Sequence, residues 1–213
     1  MANILVYELE GKIYINLTNK CTNDCIFCLR KDKSDVKGQE LWLDSEEFSA
    51  QDVIIQLNNV MRLPSCPSAG VPSEIIFCGY GEPMLKLDIL KEVAKYVKEH
   101  LPQTRIRVNT NGHANYVYKR NVVPELKGLV DEFSVSLNGE NSQEYDELSQ
   151  PVFEGAYEEV KSFIKSCTDE GIDVVASVVE GYKGRHINLE KCEKISLELG
   201  AKFRVREWIP NGY

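Results

Sequence analysis

The chain has 213 residues, of which 43% are hydrophobic and 27% charged, as is usual for a globular protein with one domain. The formal net charge of -8 argues against general nucleic-acid binding, because such proteins carry a basic surface. No apolar stretch approaches the roughly 20 residues of a membrane span, and the first 18 residues lack the pattern of a signal peptide. We therefore expect one domain over residues 1–213, located in the cytoplasm and not associated with membranes.

The hydrophobic pattern predicts strands that alternate with helices along most of the chain. The first element is a β-hairpin with strands over 3–8 and 12–18 around Glu10-Gly11, and a polar loop over 19–36 follows it. The later elements are, in order, a helix over 44–61 capped by Asp44, a loop over 64–70, a strand over 74–78, a helix over 87–101, a strand over 105–109, a helix over 116–126, a strand over 131–137, a helix over 155–170, a strand over 172–179, a helix over 188–199 and a strand over 203–208.

Counting the second hairpin strand as the first of the series, six strands alternate with five helices. This alternation predicts an α/β fold with a parallel sheet and right-handed crossovers. The sheet can be an open doubly wound sheet or part of a β/α barrel. In both architectures the reactive groups collect at the carboxyl ends of the strands.

Three cysteines follow the first parallel strand directly, in the pattern C-x3-C-x2-C at Cys21, Cys25 and Cys28. Three thiolates on a four-iron cluster leave one iron open to bind a substrate or cofactor. A structural zinc ion usually takes four ligands, and Cys25 with Cys28 could instead form a thiol-redox pair. The spacing favours an iron–sulfur cluster, with zinc binding and thiol chemistry as open alternatives.

Polar residues and glycines also follow the next strands at their carboxyl ends. They are Gly79-Tyr80-Gly81-Glu82-Pro83 after the second strand, Asn109-Thr110-Asn111-Gly112 after the third, Ser134, Ser136 and Asn138 on one face of the fourth, and Arg204 and Arg206 on the sixth. The alternation of hydroxyl residues on the fourth strand suggests a polar barrel interior. His113 lies beside the third motif and is interpreted as a surface residue, because lone histidines commonly are.

Taken together, these motifs resemble those of the radical S-adenosylmethionine (radical SAM) superfamily. The cysteine spacing matches its signature, including an aromatic residue, Phe27, before the last cysteine, and residues 79–83 and 109–112 match its later motifs in the expected order. The short chain, its opening strand over 4–9 and the lead-in over 15–19 are similar to the TatD-associated radical SAM group. The resemblance implies a partial (β/α)6 barrel of parallel strands with an N-terminal β-hairpin.

The resemblance also implies a role for each matching position. The three cysteines would be catalytic and would ligate three irons of a [4Fe–4S] cluster, whose fourth iron would bind S-adenosylmethionine. The remaining cofactor contacts would be Phe27 and Val179 beside the adenine, the backbone of Gly79, Tyr80 and Gly81 at the methionine ammonium, Glu82 of the same motif, and Asn109, Asn111, Ser136 and Asn138 at the ribose or carboxylate.

The activity implied is reductive cleavage of S-adenosylmethionine to a 5′-deoxyadenosyl radical that takes a hydrogen atom from a substrate. The expected partners are an electron donor such as flavodoxin or ferredoxin and a protein or peptide substrate. Cys66, Cys78, Cys167 and Cys192 show no cluster spacing, so we expect one cluster. The alternative is a non-enzymatic iron–sulfur or zinc-binding module of a larger assembly.

Overall fold

The computed structural model describes residues 3–33, 35–62 and 71–209, so the predicted loop over 64–70, with Cys66, lies outside the described residues. The strands are β1 (Val6–Leu9), β2 (Lys12–Ile15), β3 (Asp35–Val36), β4 (Gln39–Glu40), β5 (Glu74–Phe77), β6 (Arg105–Thr110), β7 (Glu132–Ser136), β8 (Asp173–Glu180) and β9 (Lys202–Glu207). The α-helices are α1 (Ala50–Met61), α2 (Leu87–His100), α3 (Ala114–Tyr118), α4 (Ser142–Ser149), α5 (Ala156–Asp169) and α6 (Leu189–Glu198).

Seven strands form one sheet in the order β1-β2-β5-β6-β7-β8-β9. The β1–β2 pair is antiparallel, and each later pair in the sheet is parallel. Each parallel strand lies beside the one before it, so right-handed crossovers place the connecting helices on one face of the sheet. This topology confirms the predicted α/β fold, with its partial barrel of six parallel strands and N-terminal hairpin.

The two faces of the sheet differ sharply in chemistry because successive side chains on a strand point to opposite sides. The outer face packs against the helices, and its fully buried side chains include Ile13, Ile15, Ile75, Phe77, Ile106, Val108, Phe133, Val135, Ala176 and Val178. The inner face carries the alternate residues, including Tyr14, Arg107, Asn109, Ser134, Ser136, Ser177 and Arg204. The polar barrel interior suggested by the hydroxyl residues is therefore present.

The observed helices differ from the predicted ones in three places. Helix α1 begins at Ala50, because Ser49 caps it: the Ser49 hydroxyl accepts from the Asp52 N–H, and the Asp52 carboxylate accepts from the Ser49 N–H at 2.8 Å. The expected helix over 116–126 is divided into α3 and a 3-10 turn at Val123–Leu126. Helix α4 was not predicted, since its eight residues bury only Tyr145, Leu148 and Ser149. None of the helices in the described ranges is long and apolar enough to cross a bilayer.

Candidate active site

The cysteine loop between β2 and the 3-10 turn at Leu29–Lys31 is held against the segment that links α4 to α5. The Ile26 N–H donates to the Leu148 carbonyl at 3.0 Å, and the Val152 N–H donates to the Thr22 carbonyl at 3.0 Å. A further bridge joins Asn23 to Pro151. The unpredicted helix α4 is thus part of the platform on which the three cysteines rest.

Cys21, Cys25 and Cys28 are free thiols that are partly exposed. Burial raises the pKa of Cys21 to about 11 and the pKa of Cys25 to about 12, and the neighbouring Cys28 and Cys21 thiols add to the rise at Cys25. The three sulfur atoms therefore share one environment. Within residues 3–33, 35–62 and 71–209, however, no three His, Cys, Asp or Glu side chains form a group that could hold a single metal ion.

Hydrogen-bond donors surround the Cys21 sulfur. The Asn23 N–H donates to it at 3.4 Å, and Asn111 Nδ2 approaches it at 3.6 Å. Hydrogen bonds to sulfur are one of the features that tune iron–sulfur clusters. Three thiols in one loop, with no fourth cysteine beside them among the described residues and with N–H groups directed at sulfur, fit the donor set of a cluster with one open iron.

Arg30 connects two points within the cysteine loop, Asn19 and Asn23, and also reaches Tyr80 after β5. One Nη donates to the Asn19 carbonyl at 3.1 Å and reaches the Tyr80 carbonyl at 3.5 Å, and the other donates to the Asn23 carbonyl at 3.2 Å. This arginine was not among the predicted site residues. Its only signal in the sequence is its position two residues after the last cysteine.

Glu82 joins the carboxyl ends of β5 and β6. Its carboxylate accepts from Thr110 Oγ1 at 2.7 Å, from the Asn111 N–H at 2.7 Å and from the Met84 N–H at 3.0 Å. The residue is 4% exposed, and burial raises its pKa to about 7 although these hydrogen bonds oppose the rise. Both oxygens are engaged by the protein, so the geometry favours a positioning role for Glu82.

A buried network connects the third motif with the cysteine loop. His113 Nδ1 lies 2.8 Å from Thr22 Oγ1, and His113 Nε2 lies 2.9 Å from the Tyr145 hydroxyl, which accepts from Asn23 Nδ2 at 3.1 Å. Asn111 Nδ2 donates to the same Thr22 hydroxyl at 2.8 Å. His113 is 1% exposed, and burial lowers its pKa to about 4, so it is neutral at pH 7. The interpretation of His113 as a surface residue was wrong.

Gly79 and Gly81 pack against the chain that leads into the cysteine loop. A Cβ atom on Gly79 would lie 2.0 Å from Asn16 Oδ1, and one on Gly81 would lie 2.2 Å from the Thr18 carbonyl oxygen. Both glycines are therefore required by packing whether or not their backbone also contacts a cofactor. Between them, the Tyr80 ring is buried and meets Trp42 edge to face at 5.4 Å.

The other predicted positions surround the same end of the barrel. Asn138 is buried and donates to Ser149 Oγ at 3.1 Å, and its Oδ1 has no hydrogen-bond partner. Ser136 ends β7 and Val179 lies near the end of β8, both partly exposed. Asn109, on β6, pairs in register with Ser134 of β7.

Phe27 forms one side of an aromatic row at the mouth of the barrel. Its ring meets Tyr182 edge to face at 6.1 Å, and Tyr182 meets Trp208 at 5.1 Å. The predicted adenine contact thus lies beside the segment that follows β8, the strand of Val179.

The match to a protein-family model decides which family this geometry represents. Residues 15–199 match the model described as the radical SAM superfamily. The chain belongs to the radical SAM superfamily. The match does not distinguish a subgroup, so the TatD-associated group stays a prediction.

Solved structures of this radical SAM fold are similar to the chain at low sequence identity. Streptococcus suis SuiB bound to S-adenosylmethionine has a TM-score of 0.64 and 16% identity, covering 92% of this chain and 40% of SuiB. The hydrogenase maturase HydG from Carboxydothermus hydrogenoformans has a TM-score of 0.60 and 19% identity, covering 93% of this chain and 44% of HydG. Methylornithine synthase (PylB) has a TM-score of 0.56 and 13% identity, covering 95% of this chain and 56% of PylB. The chain thus spans about half the length of these proteins or less, and no curated protein matches it.

Proposed function

We propose that the chain is a radical SAM enzyme in which Cys21, Cys25 and Cys28 hold a [4Fe–4S] cluster with one open iron. The observation that carries the proposal is the loop of three thiols at the carboxyl end of the first parallel strand in a radical SAM family domain. When bound, the cluster supplies the electron that cleaves S-adenosylmethionine to methionine and a 5′-deoxyadenosyl radical, which takes a hydrogen atom from the substrate.

The protein's own residues fix the loop before any cofactor binds. Arg30 holds the loop at Asn19 and Asn23, and the neutral His113 orients the Thr22 hydroxyl beside Cys21. Glu82 holds the ends of β5 and β6 in register. Such preorganisation is needed because cofactor chemistry depends on the reactive atom being placed correctly against the substrate.

The predicted contacts to S-adenosylmethionine form the rest of the proposed site. Gly79, Tyr80 and Gly81 would meet the methionine ammonium with their backbone, and Phe27 and Val179 would meet the adenine. Asn109, Asn111, Ser136 and Asn138 would bind the ribose or carboxylate. The unpartnered Oδ1 atoms of Asn109 and Asn138 support this part of the proposal, because buried polar atoms normally have a hydrogen-bond partner.

A peptide or protein is one substrate class that the neighbours support. SuiB has been solved with its precursor peptide SuiA, with a TM-score of 0.65 to this chain at 15% identity. The same fold in this chain could present the barrel mouth to a peptide. We further propose that a cytoplasmic flavodoxin or ferredoxin supplies the electron.

Anaerobic reconstitution with iron and sulfide tests the proposal. We expect about four irons and four sulfides per chain, and 5′-deoxyadenosine that forms only when reductant and S-adenosylmethionine are both present. Cys21→Ser, Cys25→Ser and Cys28→Ser should each abolish that product, whereas the control Cys167→Ala should retain it, since Cys167 is buried in α5 away from the loop.

Three results would contradict the proposal. Zinc without sulfide in protein purified under anaerobic conditions would favour a metal-binding module of a larger assembly. Thiol-redox activity that survives Cys21→Ser would favour the Cys25–Cys28 pair as the functional unit. A full cluster that never cleaves S-adenosylmethionine would leave the metal site standing and remove the enzymatic activity.

A further inference from the structure

Arg204 is a cation inside the barrel that no carboxylate of the described chain balances. It lies on β9 in register with Ser177 of β8, so its side chain belongs to the inner face. Its Nη2 donates to Ser134 Oγ at 2.6 Å, and the Nε atom is buried without a hydrogen-bond partner. Within the described ranges Arg204 makes no ion pair.

The acidic side chains of the inner face are engaged elsewhere. Glu74 and Glu132 both pair with Arg107, at 3.6 and 4.0 Å. Asp173 pairs with Arg105 at 3.4 Å. These acids lie at the amino-terminal end of the strands, whereas Arg204 lies in the middle of its strand. The guanidinium is therefore left with one neutral hydroxyl as its acceptor.

A partly buried guanidinium without a counterion is costly, because burial removes water that would otherwise solvate the charge. Its fork of N–H groups matches the oxygens of a carboxylate or phosphate and forms charge-assisted hydrogen bonds with them. The Arg204 guanidinium beside Ser134 thus offers a site for a ligand that carries an oxyanion.

The position of Ser134 along β7 separates the bound guanidinium of Arg204 from the proposed S-adenosylmethionine contacts at Ser136 and Asn138. Ser134 precedes Ser136 by two residues on β7, which places it roughly 7 Å further from the strand ends. The guanidinium extends down to Ser134, away from Ser136 and the cysteine loop. An oxyanion held there would lie deeper in the barrel than the proposed cofactor contacts at Ser136 and Asn138.

We propose that Arg204, oriented by Ser134, binds a carboxylate or phosphate group of the substrate inside the barrel. This inference rests on the proposed function for the identity of the ligand as a substrate. The binding site itself is independent of S-adenosylmethionine cleavage and is tested without reductant. Arg204 acts here as a specificity-determining residue.

The test measures anion binding by calorimetry on the reconstituted full chain, with S-adenosylmethionine present and the ionic strength held constant. The probes are inorganic phosphate and succinate. Arg204→Gln should weaken the binding of at least one probe roughly 10- to 100-fold, the usual effect of losing a charged hydrogen-bond partner. Arg204→Lys should retain part of the affinity, and Ser134→Ala should lose several-fold.

Arg120→Gln is the matched control, because Arg120 is an exposed arginine that pairs with Glu125 on the outside of the barrel. It should bind the probes like the wild type. Circular dichroism and cluster content establish that each variant is folded and loaded, and Arg204→Lys keeps the test valid if Arg204→Gln fails to fold.

Three results would overturn the inference. The wild type could bind neither probe, or Arg204→Gln could bind both as well as the wild type does. The third is a tenfold or greater loss of S-adenosylmethionine affinity in Arg204→Gln, since it would assign the guanidinium to the carboxylate of that cofactor. If anion binding behaves as expected but no 5′-deoxyadenosine forms, the proposed function fails and the anion site remains.

Discussion

The two ends of the parallel sheet use polar residues in opposite ways. At the amino-terminal end the inner face is charged, and its ion pairs run across the strands from Lys12 to Asp173. The pairs are Lys12–Glu74 at 3.2 Å, Arg107–Glu74 at 3.6 Å, Arg107–Glu132 at 4.0 Å, Arg105–Glu132 at 3.6 Å and Arg105–Asp173 at 3.4 Å. Each of these six side chains pairs with at least one side chain of opposite sign, so the pairs link five neighbouring strands.

The carboxyl end relies on buried groups with little charge. Burial raises the pKa of Glu82 to about 7 and lowers the pKa of His113 to about 4, so burial disfavours the charged form of each. Their hydrogen bonds lead to the cysteine loop and to the ends of β5 and β6. Charge pairs thus join strands at one end of the sheet, whereas a buried hydrogen-bond network positions the cysteine loop at the other.

Gly81→Ala should cause the largest loss of stability, because the chain leaves no space for a Cβ atom there. A Cβ atom in Gly81→Ala would lie 2.2 Å from the Thr18 carbonyl and 2.5 Å from the Lys20 carbonyl, and both are backbone atoms that can move only with the chain. We expect a loss of roughly 3 kcal/mol or more in the free energy of unfolding, measured by urea denaturation, together with a lower cluster yield.

Gly128→Ala is the control for this substitution, because no atom lies within 4 Å of a Cβ there and its φ of 78° is the remaining source of strain. It should cost about 1 kcal/mol and leave the cluster yield unchanged. Equal losses in the two variants would show that backbone strain, and not the contact with the cysteine loop, makes Gly81 necessary.

Glu82→Gln should cause the next largest loss of stability, because it removes a buried hydrogen-bond acceptor. In Glu82→Gln an amide N–H₂ replaces one oxygen that now accepts from Thr110, Asn111 or Met84, so a buried donor meets a donor. We expect a loss of about 2 kcal/mol, measured by urea denaturation, and a reduced cluster yield. Glu158→Gln, an exposed position on α5, should change neither quantity.

The sequence predicted the sheet well because period-two alternation of apolar residues is a local signal. It placed Cys21, Glu82 and Asn111 in one site through their strand ends. It could not show that His113 is buried, because its partners Thr22 and Tyr145 lie 91 and 32 residues away. The contact of Asn23 with Tyr145 spans 122 residues, so neither that bond nor the role of α4 is visible in any local pattern.

The contribution of His113 to the stability of the folded protein should depend on pH. Its folded pKa of about 4 lies below its ordinary value of 6.5, so the stability it confers is present above pH 6.5 and is lost as the pH falls toward 4. His113→Phe should cost about 2 kcal/mol at pH 7, because Thr22 and Tyr145 lose a buried partner. The gap between the variant and the wild type should then shrink as the pH is lowered.

Urea denaturation of the apoprotein at several pH values between 7 and 4 measures this gap, with His100→Gln at an exposed position as control. The His100→Gln curve should stay parallel to that of the wild type. A gap between His113→Phe and the wild type that is constant with pH would contradict this prediction, because it would show that the pKa of His113 is the same in the folded and the unfolded protein.

The smallest loss of stability should follow from a substitution among the ion pairs at the amino-terminal end of the sheet. Arg107→Gln removes the central cation between Glu74 and Glu132, whose side chains are each 17% exposed or less. We expect a loss of about 1 kcal/mol with the cluster yield unchanged, because Glu74 and Glu132 keep Lys12 and Arg105 as ion-pair partners. In a double-mutant cycle by urea denaturation, Arg107→Gln and Glu82→Gln should be additive to within about 0.5 kcal/mol, because sites without shared partners act independently. A larger coupling would show that the ion pairs help to set the geometry of the cysteine loop, and the division between the two ends would be lost.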